Sequence, residues 1–112
     1  MEMAKSNLYC MRKGDKMIKH VVMWKLKSTV SEDEKLEIKR KLEALKGVVS
    51  SLKEIEVGID FSDKAASMDL VLVSVFDSVE GLEAYAKHPA HCSVVDYVVP
   101  RVEKRAVVDF VV

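Results

Sequence analysis

Cysteine is nearly missing from this chain: Cys10 and Cys92 are the only two in 112 residues, and no spacing pattern relates them. That excludes a disulfide framework as the organising principle. A single bridge stays open, but two unpatterned thiols suit a reducing compartment, and a cytoplasmic location is the expectation. The four glycines are scattered, so no glycine-rich loop is there to cradle a phosphate. No serine sits in a nucleophile elbow, and no isolated pair of carboxylates stands ready for acid–base work. Excess charge of either sign is missing too, with 18 basic residues against 18 acidic ones. Without a basic stripe, nucleic acid is not an expected partner. No apolar run approaches the roughly 20 residues of a spanning helix, and the first residues lack the apolar stretch of a signal peptide. A membrane is therefore not expected either.

What the chain does have is 49% hydrophobic residues beside 32% charged ones. That pairing fits one small domain of apolar strands and charged helices. Residues 1–16 carry Lys5, Arg12, Lys13, Gly14 and Lys16 without hydrophobic periodicity, and read as an extension outside the core. It is either a start-site artefact ahead of Met17 or an arm for a partner. The domain itself is expected over residues 17–112.

Ile18 to Lys27 is strand-like, with Ile18, His20, Val22, Trp24 and Leu26 sharing one face and Val21 and Met23 on the other. Ser31 followed by Glu34 forms a capping box that opens a helix. Leu36, Ile38, Leu42 and Leu45 are its expected apolar stripe, and Gly47 marks its end. A second strand is expected over Leu52–Ile59, with Lys53, Ile55, Val57 and Ile59 alternating against Glu54 and Glu56. The polar stretch 60–67 reads as a loop, and Asp69–Phe76 as a third strand. Ser78 caps a helix over Val79–Lys87, Ala90–Val102 is a second helical piece whose first turn Pro89 suits, and Arg105–Val112 closes the chain as a strand.

The order β-α-β-β-α-β is the ferredoxin-like α+β arrangement, one four-stranded antiparallel sheet with helices on one face. Such a sheet should alternate apolar and polar residues. Here Val71, Val73 and Val75 oppose Leu70, Leu72 and Phe76, and Val108 and Phe110 oppose Val107 and Val111. A second apolar face needs a second cover, and a homodimer packed sheet against sheet supplies it. Burying about six valine-sized side chains per copy gives a gross gain on the order of ten kcal/mol, comparable with the cost of association.

Chemistry concentrates in Tyr85-Ala86-Lys87-His88-Pro89-Ala90-His91, which holds two of the three histidines. Imidazole titrates near neutrality and a phenol donates or accepts a hydrogen bond, so the pair suits polarising a carbonyl and moving a proton. Each residue also has a plain structural reading. His88 can close the preceding helix by bonding its last carbonyls, His91 can link helix to sheet, and Tyr85 can sit at the core margin. His20 can be a strand-edge residue. Cys92 reads as a small buried hydrophobe, since neighbours on a helix point about 100° apart and do not pair. His20, His88 and His91 match no established metal spacing, so neither metal nor cofactor is expected. Asp69 and Asp109 lie at strand margins, exposed or paired.

Lys19-His20-Val21-Val22-Met23-Trp24-Lys25-Leu26-Lys27, Ile55-Glu56-Val57-Gly58, Phe76-Asp77-Ser78-Val79-Glu80, Tyr85…His88-Pro89-Ala90-His91 and Val107-Val108-Asp109-Phe110 occur in that order. Together they resemble the stress-responsive A/B barrel (Dabb) family from Met17 to about Phe110. The resemblance implies a ferredoxin-like protomer whose dimer forms a central α/β barrel. It also implies, by analogy with a polyketide cyclase of the family, that His91 acts as general base and Tyr85 hydrogen-bonds an enolate oxygen. The pocket would include His20, Trp24, Leu72, His88 and Val94, and would hold a small apolar carbonyl compound. Two alternatives stand beside it: a non-catalytic stress or assembly dimer, and a cofactor-free enzyme like the ferredoxin-like dimeric monooxygenases.

Overall fold

The structure is a computed structural model that describes residues 17–112. The extension expected over residues 1–16, with Cys10, lies outside the described residues. Eight elements follow one another: β1 (Ile18–Leu26), α1 (Glu32–Glu43), β2 (Leu52–Ile59), β3 (Leu70–Phe76), α2 (Val79–Lys87), α3 (Pro89–Val98), a 3-10 turn (Val99–Arg101) and β4 (Val102–Val111). The strands form one antiparallel sheet in the order β2-β3-β1-β4. This is the expected ferredoxin-like arrangement, with the last helical segment in two pieces. Among the described residues no helix is long and apolar enough to cross a membrane.

Local chemistry explains most boundaries. Ser31 accepts a hydrogen bond from the Glu34 N–H while the Glu34 carboxylate accepts from the Ser31 N–H, so the capping box opens α1. After α1 the chain turns through Gly47 at φ +87°, the left-handed region that a residue with a Cβ resists. Ser78 caps α2 by accepting from the Gly81 N–H. The break between α2 and α3 falls at His88, whose extended conformation (φ −66°, ψ 135°) is what a following proline favours.

Three expectations need correction. Leu36 is 55% exposed, because it lies two residues, about 200°, from Ile38. The buried stripe of this segment is Ile38, Leu42 and Leu45. Lys53 does not take part in the β2 alternation: the register shifts between Leu52 and Glu54, so Leu52 opposes Phe76 and Val57 opposes Leu72. That bulge puts Leu52 and Val57 on the same face although they are an odd number of residues apart. β4 starts at Val102, not Arg105, because the 3-10 turn ends the helical segment early. Asp69 stands at the β3 margin and is paired, as expected: its carboxylate accepts the Leu26 N–H at 2.7 Å, which ties β3 to the end of β1, and lies 3.8 Å from the Lys25 ammonium.

The core lies between helices and sheet. Val22, Leu70, Leu72 and Phe76 are at most 2% exposed, and Ile38 of α1 and Tyr85 of α2 close over them. Among the described residues the opposite face carries no helix. Its centre is Val21 and Met23 of β1, Val71, Val73 and Val75 of β3, and Ala106, Val108 and Phe110 of β4, as the strand registers dictate. Val108 is 58% exposed and Phe110 44%. Charged residues on that face sit at its margins, Glu54 and Glu56 on one side and Lys19, Lys25 and Lys104 on the other.

Candidate functional site

The break at His88-Pro89 turns α3 back so that His91 meets Tyr85, with ring centroids 4.3 Å apart. Phe76 packs 5.1 Å from the other side of Tyr85, and the His20 ring of β1 stands edge-on at 6.4 Å. Tyr85 is 1% exposed, and its hydroxyl has no hydrogen-bond partner among the described residues. Burial pushes its pKa up to about 12, so the phenol stays protonated and able to donate.

His91 makes one informative contact. Its Nδ1 lies 3.2 Å from the Ala86 carbonyl oxygen, which can only accept. The proton of a neutral His91 therefore sits on Nδ1, leaving the Nε2 lone pair without a partner among the described residues. Burial holds the imidazole below its usual pKa; the Ala86 hydrogen bond opposes this, and the charges of His20, Arg105 and His88 reinforce it. A neutral ring with a bare Nε2 is a base at neutral pH.

His20 is oriented by β4. Asp109 is its cross-strand neighbour, and the His20 Nδ1–H donates to Asp109 Oδ1 at 2.5 Å. His88 has a different part from the one expected. Its Nδ1 accepts the Ala90 N–H at 3.0 Å, so its side chain caps the start of α3 instead of bonding the last carbonyls of α2. A helix start offers orphan N–H groups and the end of α2 is already bonded through the His88 backbone, which donates to the Tyr85 carbonyl at 3.1 Å.

A cavity of about 690 Å³ opens between α3 and the β1–β4 side of the sheet, a volume suited to a small molecule. Trp24, Leu72 and Val94 line it together with His20 and His91. Tyr85 lies behind His91, and His88 is outside the lining. Cys92 is exposed on the cavity wall instead of buried, because α3 turns Val94 and Val98 to the core and Cys92 away from it. Arg105 and Asp96 also line the cavity, and Asp109 stands behind His20; none of these was a site residue by sequence. The available signal was the alternation of β4, which reads only once its register against β1 is known. Among the described residues, no three histidine, cysteine or carboxylate side chains are grouped as a metal site.

The comparisons agree with this architecture. A dimeric ferredoxin-like protein of unknown function from Bacteroides fragilis is 34% identical, the alignment covering 84% of this chain and 94% of that one with a TM-score of 0.74. A dimeric ferredoxin-like protein of unknown function from Thermobifida fusca is 25% identical, covering 91% and 95%, with a TM-score of 0.80. A hydroxynitrile lyase from Passiflora edulis shares the fold at 22% identity, covering 86% and 93%, with a TM-score of 0.77. No curated protein matches the chain. Residues 18–112 match the stress responsive A/B barrel domain, and with nearly the whole described chain inside that match, the protein belongs to the stress responsive A/B barrel (Dabb) family.

Proposed function

We propose that this protein is a homodimer with one small-molecule pocket per protomer, in which His91 and Tyr85 carry acid–base chemistry on a carbonyl-bearing ligand. The observation that carries the reading is the pairing of a neutral His91, its Nε2 lone pair unused, with a buried phenol that lacks a partner. His91 Nε2 takes a proton from the carbon beside the carbonyl. The Tyr85 hydroxyl is sealed behind His91, so a shift of the His91 side chain is what lets it donate to the oxygen on which negative charge develops and gain the partner it lacks. His20, held by Asp109, is a second polar wall, and Trp24, Leu72 and Val94 supply the apolar one. The helix-free apolar face supports association of two copies through their sheets, and the similar solved proteins from Bacteroides fragilis and Thermobifida fusca are dimeric. The exposed thiol of Cys92 suits a reducing, cytoplasmic setting.

A thermal-shift and NMR screen against aromatic and β-keto acids tests the site, using wild type, Tyr85→Phe and His91→Gln. Ligands that stabilise the wild type and lose their effect in both variants are the expected result. If no compound binds the wild type, or the variants bind as well as it does, the site reading is wrong. A non-catalytic scaffold is favoured by one specific observation: Nδ1 of each of the three histidines already makes a structural hydrogen bond. Under that reading His91→Gln lowers the melting temperature and there is no ligand to lose.

A further inference from the structure

We propose that the pocket selects ligands bearing an anionic group, a carboxylate or its equivalent, and that Arg105 is the residue that reads it. This rests on the small-molecule reading above and adds a substrate class to it.

Three basic residues follow one another closely at the start of β4, and the fold gives each a different fate. Arg101 is spoken for: its Nε donates to Glu34 at 2.9 Å, its guanidinium donates to the Tyr97 carbonyl at 2.7 Å, and it stacks on the Tyr97 ring at 3.8 Å. Lys104 faces the helix-free side, opposite Lys25. Arg105 lies opposite Trp24, on the side of the sheet that faces the cavity, and it lines that cavity.

The guanidinium is left unpaired within the cavity. Among the described residues Arg105 forms no ion pair and no side-chain hydrogen bond. Asp109, on the same face of β4, is committed to His20 at 2.5 Å. Asp96 lines the cavity from α3 but makes no ion pair with Arg105. A guanidinium on a partly apolar wall with no carboxylate paired to it is a strong binder of a planar anion, because its donors match carboxylate geometry two at a time.

The spacing specifies the ligand further. His20 pairs with Asp109 and Trp24 with Arg105 across the same two strands, so four strand residues, about 13 Å, separate the two positions. The long arginine side chain shortens that span. A fitting ligand carries its carboxylate at one end, an apolar or aromatic body against Trp24 and Leu72, and its carbonyl toward His91.

The test titrates the full chain with 4-oxo-4-phenylbutanoate and with its neutral amide, following the Trp24 indole and the His91 signals by NMR. Wild type is expected to prefer the carboxylate by roughly tenfold or more. Arg105→Gln should erase that preference by lowering carboxylate affinity much more than amide affinity, while Arg105→Lys, which keeps the charge, should retain part of it. Arg105 is exposed on an edge strand, and a spectrum matching wild type establishes that each variant is folded. Equal binding of the two probes by wild type, or an equal loss of both in Arg105→Gln, overturns the anion reading and leaves the pocket standing. Binding of neither probe at the cavity overturns both.

Discussion

The two faces of the sheet are built from similar side chains and live in different surroundings. On the helix side Val22, Leu72 and Phe76 are at most 2% exposed, whereas Met23 and Val108 on the other side are 38% and 58% exposed. Their polar residues are distributed in opposite ways as well. The covered face admits His20, Arg105 and Asp109 near its open β4 margin, where helix cover gives out and the cavity begins. The uncovered face keeps an apolar centre and sends charge to its edges. Under the proposed function, ligand chemistry belongs to one side and association to the other. An apolar centre with a polar margin is the anatomy of a protein interface, and a gap in helix cover with polar groups is that of a pocket.

The largest contrast between the faces should come from truncating each. Phe76→Ala on the covered side opens a cavity in the protomer core and should cost about 3–5 kcal/mol, measured by urea unfolding. That loss should be the same at every protein concentration. Val108→Asp on the uncovered side should act through association instead. Light scattering is expected to show a shift from dimer to monomer, a weakening of roughly 100-fold or more, with the monomer still folded. A wild-type mass corresponding to one chain at micromolar concentration would break the comparison outright.

A smaller effect separates the faces by pH. Burial lowers the His91 pKa in the folded state, so the unfolded chain binds the proton more tightly. Stability contributed by neutral His91 is present above its unfolded pKa and falls as the pH drops through the window down to the lowered value. Melting temperature is therefore expected to decline as the pH falls below the ordinary imidazole pKa of about 6.5, and less so in His91→Gln. An identical decline in both proteins would remove His91 as its source. The smallest effect concerns the phenol. Removing a buried hydroxyl that has no partner, as in Tyr85→Phe, should leave stability within about 1 kcal/mol of wild type or raise it. A loss well beyond that would mean the hydroxyl bonds within the protein.

Reading the chain residue by residue worked where the cause is local. The Ser31–Glu34 box, the Ser78 cap and the helix break before Pro89 each depend on a few adjacent residues, and each occurs as expected. The two-faced alternation of β3 is likewise local. Failures came where parity or partnership depends on distant chain. The extra residue at Lys53 reverses the phase of β2 between Leu52 and Val57, and only pairing with β3 reveals it. His88 could cap either helix from its position in the chain, and the geometry of the turn chose the later one. Cys92 was assigned to the core by residue type alone, although α3 presents another face there.

Caps, prolines and alternation act over a few residues, so the set of elements, their order and the apolar character of both sheet faces are legible in the chain alone. The juxtaposition of Tyr85 with His91 also follows closely from the short segment that holds both. Tertiary structure alone decided that Asp109 holds His20, that Arg105 faces the cavity and Lys104 does not, and that a gap remains between α3 and β4. The reason is register. A slip of one residue between β1 and β4 exchanges every side chain between the two faces, and nothing in either strand taken alone states which pairing is made.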